Sequence, residues 1–250
     1  MRRFVRLMVV LLCCSGWLIA HDSEPINTNF AAPFTRGAGN VQLKYQYLRR
    51  ADLYEVLPAE LEYGFAPRQQ FSIGVGLDRL HDSGETYIRP GNLEVGYRLL
   101  LLGDNSRRFA VSINPEVELP TGDKRVAERS VGAGGTLNID THLLRGLWTH
   151  TNIGYETAVA RIGEEREKNV IYNFAAMYEA SEAFRPVIEI VGVHDLASDR
   201  TDIAFVPEAI FAPNHRWEIK VGMPVGLTST APSVGAQLAL TWKFGARGRQ

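Results

Sequence analysis

The chain is poor in cysteine, and its two, Cys13 and Cys14, both fall within the first twenty residues. A mature form without that stretch would have none, which excludes a disulfide framework, a thiolate metal site and a cysteine nucleophile. Beyond residue 20 no apolar run approaches the ~20 residues that a spanning helix needs. No G-x-S-x-G string occurs, so the nucleophile elbow of α/β-hydrolases is missing. A basic excess is lacking too. Arg2, Arg3 and Arg6 leave with the leader, so 27 basic residues become 24 against 28 acids, a formal charge near −4. No nucleic-acid partner is expected from that balance.

The first stretch present is MRRFVRLMVVLLCCSGWLIA. Its basic start, its apolar Leu7 to Leu12 and its small-residue end at Leu18-Ile19-Ala20 predict a signal peptide over 1–20. The cysteines lack a convincing lipobox. Residues 21–40, rich in Asn, Pro, Ala and Gly and without periodicity, read as a flexible periplasmic lead-in.

From Val41 the pattern changes to strict alternation, the mark of strands whose side chains point to two faces in turn. The clearest example is FAVSINPEVELPTGD, Phe109 to Asp123. Phe109, Val111, Ile113, Val117 and Leu119 share one parity, and Ser112, Asn114, Glu116 and Glu118 the other. Two carboxylates so close are too much charge for a soluble core, whereas an apolar outside around a wet inside is the pattern of a membrane barrel. About twelve such segments follow one another between 41 and 244, each near the ~9–11 residues of a tilted membrane strand. The predicted fold is therefore all-β: a closed antiparallel transmembrane β-barrel of about twelve strands, up-and-down, with a tail at 245–250. Short links, such as Ala66-Pro67-Arg68 and Leu144-Arg145-Gly146, alternate with longer ones, such as His81 to Arg89, Thr121 to Gly135, Arg161 to Asn169 and Asp195 to Asp202. That places the short turns in the periplasm and the loops outside. Pro115 and Pro207 interrupt predicted strands, and bulges are the expected remedy.

The inward parity collects Glu60, Glu62, Glu94, Arg98, Glu116, Glu118, Asp140, His142, Glu156, Glu189, Glu208, Glu218 and Lys220, with Lys44 and Lys243. On the lipid face even one basic residue would cost about 2–4 kcal/mol at the midplane, so the charged face must be the lumen. Two readings stay open: a charged pathway for cations or polar solutes, or an internal ion-pair network that braces the wall. Twelve strands lie between filled and open barrels, so size does not decide. Asp140, His142 and His150 could be imagined with Ser72 or Ser112 as a triad, but the histidines fall at the periplasmic end. No catalytic residue, metal site or cofactor is expected. Trp242 and Phe244 close an alternating last segment, VGAQLALTWKF, suited to an aromatic girdle and to the terminal signal that barrel-assembly machinery reads.

Two strings, GNLEVGYRLL (Gly91 to Leu100) and ELPTGD (Glu118 to Asp123) with VGAGG behind it, resemble the MetA-pathway of phenol degradation family, a set of predicted outer-membrane transporters. The resemblance implies a barrel that moves small, often hydrophobic or aromatic, compounds, and it brings no catalytic residues. For Pro120, Thr121, Gly122 and Asp123 the residues themselves predict a strand end and a tight turn. The functional expectation is an outer-membrane channel for passive uptake of small solutes, with outer-membrane lipid, assembly machinery and the solute as its partners and the Thr121 to Gly135 loop as gate. The alternative is a plugged, anchoring barrel that binds partners through its loops.

Overall fold

The computed structural model describes residues 24–49, 53–82, 84–103, 108–125, 130–160 and 168–245. The expected leader, most of the tail and the loop core at 161–167 lie outside the described residues. Alternation is realised as sixteen strands: β1 (Gly39–Arg49), β2 (Leu53–Glu55), β3 (Ala59–Ala66), β4 (Gln69–Val75), β5 (Leu77–Asp82), β6 (Glu85–Pro90), β7 (Leu93–Gly103), β8 (Phe109–Leu119), β9 (Val131–Leu144), β10 (Leu147–Ala160), β11 (Lys168–Tyr178), β12 (Phe184–Asp195), β13 (Arg200–Asn214), β14 (Trp217–Gly222), β15 (Val225–Gly226) and β16 (Val234–Phe244). Among the described residues there is no helix.

Twelve strands form one ring in the order β1, β3, β4, β7 to β14 and β16, each antiparallel to the next, and β15 continues β14. Closure is made by β1 on β16, in unbroken register from Gly39↔Phe244 to Arg49↔Val234. Among the described residues every wall strand pairs with a neighbour on both sides, as a backbone in hydrocarbon requires. The fold is a closed, twelve-strand, antiparallel transmembrane β-barrel. Its outer surface carries the predicted apolar parity, with Val41, Leu43, Tyr45, Ile113, Val117, Leu238 and Leu240 all exposed. A string of ring contacts marks one rim: Trp217–Trp242, Trp242–Phe244, Phe244–Tyr63, Tyr63–Phe71, Phe71–Phe65 and Phe65–Tyr97, with centroids 5.4–6.5 Å apart. Trp242 and Phe244 thus lie in an aromatic belt at the short-turn end.

Several local expectations need correction. His81 to Arg89 is not a loop: β5 and β6 pair through it, and with β2 they make a small three-stranded sheet that carries the wall beyond the barrel. Arg200 to Asp202 likewise belong to β13. The glycines of VGAGG lie in β9, not in the loop. Two of them make room for lumen acids. A Cβ on Gly134 would sit 2.7 Å from Glu156 Cγ, and one on Gly132 3.0 Å from Glu118 Cβ. Pro115 needs no bulge: it keeps register with Gly135, and its missing donor falls where the β7–β8 ladder has no paired residues between Gly96↔Glu116 and Leu99↔Ile113. Pro207 stands beside a break in the neighbouring strand. Its carbonyl accepts from Met223 N (3.1 Å), at the gap between β14 and β15. In an antiparallel ladder a residue's N and O point the same way, so the absent N–H faces that same gap.

The largest departure concerns residues 24–38. They are not a free lead-in. Ile26, Thr28, Phe30, Ala31 and Ala32 are buried, and the segment forms a strap inside the barrel.

Candidate solute pathway and its internal strap

The strap has no strand or helix of its own, so its backbone polar groups must find other partners. Lumen side chains supply them. Glu208 Oε2 accepts from Ile26 N (3.0 Å), Glu189 Oε1 from Asn27 N (3.2 Å), Asn152 Oδ1 from Asn29 N (2.7 Å), Asp140 Oδ2 from Ala31 N (2.8 Å) and Gln70 Oε1 from Phe34 N (2.9 Å). In the other direction Asn152 Nδ2 donates to Asn29 O (2.9 Å) and Asn173 Nδ2 to Asn27 O (2.8 Å). Side chains add to this. Asn27 Nδ2 donates to Glu189 Oε2 (2.7 Å), and Gln237 Nε2 donates to Asn27 Oδ1 (3.0 Å). Arg98 bridges Glu24 (3.0 Å) and Glu62 (3.2 Å). With Arg98 and Gln237 counted, the strap is bonded to β4, β7, β9, β10, β11, β12, β13 and β16, so it crosses the lumen.

Apolar seats fix it further. Phe30 packs with Trp148, Ala175, Met177, Val187 and Ile210, and Ala31 and Ala32 pack with Leu100 and Ala110. The hydrogen bonds between the strap and lumen side chains span 36 to 210 residues of sequence.

Each predicted lumen residue can now be placed, with Glu60 on β3 between Gln42 of β1 and Gly74 of β4. Arg98 and Glu62 join Glu24, while Asp140, Glu189 and Glu208 hold strap N–H groups. His142 does not approach His150 as a ligand pair; its ring stacks on Trp148 at 4.5 Å. His150 Nδ1 bonds Asp140 Oδ1 (2.8 Å) and its ring lies 4.5 Å from that of Phe30. Ser112 takes a hydrogen bond from Asn138 (3.3 Å). Glu218 pairs with Lys243 at 2.8 Å and approaches Arg185 at 3.9 Å. Lys220 Nζ donates to Gln42 Oε1 (2.8 Å). No group of three potential metal ligands occurs among the described residues.

The remaining acids gather elsewhere. Glu94, Glu116, Glu118 and Glu156 line a recess of about 550 Å³, its open mouth included, toward the long-loop end of the lumen. In the ring of twelve, β8 and β14 are six places apart and therefore face each other. The acidic wall of β7, β8 and β10 thus stands opposite Lys220 of β14 and Lys44 of β1, which share the cross-strand partner Ala239. Water in such a gap is subject to a transverse field.

The two strings that carry the resemblance meet at the rim of this recess. Gly122 N donates to Asn92 Oδ1 (3.0 Å), Leu93 N to Thr121 Oγ1 (3.0 Å) and Asp123 N to Pro90 O (2.8 Å). Asn92 Nδ2 in turn holds Glu118 (2.6 Å), and Arg89 lies 3.8 Å from Asp123. The Pro120-Thr121-Gly122-Asp123 turn is therefore a clasp on β6 and β7, and the described part of the expected gate loop is pinned down.

A wall of this kind, lipid-facing outside and charged inside, defines the class: an outer-membrane-type barrel. Comparison with solved structures agrees on the fold. An outer membrane channel from Pseudomonas putida F1 superposes with a TM-score of 0.66, covering 89% of this chain and 100% of that one at 12% identity. The NanC porin gives 0.58, over 81% of this chain and 97% of that one at 8% identity. The KdgM porin, in complex with disordered oligogalacturonate, gives 0.54, over 82% and 98% at 9% identity. At such identities the likeness is one of fold. No family model and no curated protein matches the chain.

Proposed function

We propose that the protein is a passive channel for small solutes in the outer membrane, closed at rest by its own strap. The observation that carries this reading is the strap's mode of attachment. From residue 24 to residue 34 it is held by hydrogen bonds to side chains and by packing rather than by sheet pairing, so that part can leave the lumen without opening the wall. The short-turn end with its aromatic belt faces the periplasm in this reading, and the clasped rim faces outward. Solutes enter the acidic recess, where cations and dipolar molecules are favoured by the field across it. The resemblance to the MetA-pathway family adds small hydrophobic or aromatic compounds to the candidate solutes. Lipid contacts the exposed apolar parity, and assembly machinery reads the last strand. No catalytic step is involved.

The second reading is a permanently plugged anchor, which the number of strap contacts favours. Flux separates the two. Proteoliposomes should release a small cationic dye faster than an anionic dye of equal size, and faster still when the strap is weakened. Release no faster than from protein-free liposomes, with the strap intact or weakened, would leave the anchor.

A further inference from the structure

The lumen residues that hold the strap recognise a peptide main chain. Seven backbone atoms between Ile26 and Phe34 are bonded by six side chains, Gln70, Asp140, Asn152, Asn173, Glu189 and Glu208. Asn152 is bidentate, taking the N–H and giving to the C=O of one residue, Asn29. This geometry does not depend on which side chain residue 29 bears. Four of the six, Gln70, Asp140, Asn152 and Glu189, keep 5% or less of their surface exposed. Beside this main-chain array stand the apolar pocket of Phe30, the packing of Ala31 and Ala32 on Leu100 and Ala110, and the amide contacts of Asn27 with Glu189 and Gln237.

From this we propose that the strap occupies a binding site for short peptides, and that the channel's solutes include peptides carrying one large apolar or aromatic residue. The inference rests on the channel reading for entry into the lumen, but the site itself is tested separately. A peptide offers the same spacing of N–H and C=O groups as the strap, and its aromatic residue would take Phe30's place against Trp148, Met177 and Ile210. The acidic recess shares the lumen with the site, and its carboxylates attract a peptide's terminal ammonium. An oligosaccharide of similar length lacks the amide N–H at each repeat that Asp140, Glu189 and Glu208 accept.

The test uses the full folded chain with a specific protease sequence placed at the exposed turn Thr35-Arg36-Gly37. After cutting, the freed strap is washed out under mild denaturant, and the barrel is checked by its heat-modifiable gel mobility. Three fluorescent ten-residue peptides are then offered: the strap's own sequence, an unrelated sequence that keeps one phenylalanine, and the strap sequence N-methylated at the positions of Asn27, Asn29 and Ala31. Each lost N–H bond to a buried acceptor should weaken binding by about tenfold. The expected result is binding of the first two and at least about a hundredfold weaker binding of the third. If the unrelated peptide does not bind, or methylation has no effect, the strap is a private plug and the proposal is overturned. A barrel that will not release its strap is replaced by one carrying Asn152→Ala with Phe30→Ala, in which the unrelated peptide must displace the cut strap; failure there overturns it as well. Ion conductance is recorded on the same samples. Peptide binding without conductance would overturn the channel reading while leaving the site in place.

Discussion

The strap's hold on the lumen can be loosened at two side chains, and the effect can be worked out beforehand. Asn152→Ala with Asn173→Ala removes three hydrogen bonds of 2.7–2.9 Å to the strap backbone, two at Asn29 and one at Asn27. At a net ~0.5–1.5 kcal/mol each, the loss is roughly 1.5–4.5 kcal/mol. The ratio of released to seated strap should then rise by about ten- to a thousandfold. Neither asparagine faces lipid, so the wall is untouched. The readout uses the absence of cysteine beyond residue 14. Thr28 is 1% exposed and its hydroxyl has no partner among the described residues, so Thr28→Cys costs no bond and is shielded while the strap is seated. In leaderless protein, its labelling rate by a bulky, membrane-impermeant maleimide reports the released fraction. The double substitution should raise that rate by at least about tenfold. An unchanged rate would refute the reasoning, because these bonds would then contribute nothing to seating.

Three further outcomes follow from the same geometry. Gly64→Ala would bring a Cβ within 2.3 Å of Phe34 O and 2.6 Å of Thr35 O, both backbone atoms; Thr28→Cys labelling should accelerate, and a normal rate would mean that the strap's exit turn is not constrained. Glu116→Gln with Glu118→Gln removes two charges from the recess, and reversal potentials in a salt gradient should move toward non-selectivity; unchanged potentials would place these acids in a static brace. Glu218→Ala leaves Lys243 and Arg185 without their shared carboxylate, a loss of about 3–5 kcal/mol for a broken buried pair. The midpoint of barrel unfolding in urea should fall accordingly, and an unmoved midpoint would show that the pair is replaced by water.

Much of the wall was legible because a barrel repeats one rule. Every strand alternates, and the cost of charge in lipid fixes which parity is outside. Phe109 to Leu119 taken alone displayed the inside and outside of the whole. What escaped the sequence were features set by contacts between distant residues. Ile26 to Phe34 has no periodicity because its partners lie on the barrel wall, 36 to 210 residues away. One signal was present: the amides Gln70, Asn152, Asn173 and Gln237 share the lumen parity with the acids, and an amide-rich lumen matches an unpaired backbone. Asp140, Glu189 and Glu208 carry the inward parity in the sequence, yet nothing local shows that they accept from main-chain N–H groups rather than face water. The VGAGG glycines look like a loop by composition. Only the side chains of Glu118 and Glu156 across the ladder explain why strand β9 needs them.

The central claim is that this barrel is a channel closed by its own N-terminal strap, and single-channel recording in planar bilayers tests it most directly. Full-length protein should open rarely. The Asn152→Ala, Asn173→Ala variant should open about ten- to a thousandfold more often, at the same unit conductance and with cation preference. Equal opening in both proteins, or no conductance from either, would contradict the account.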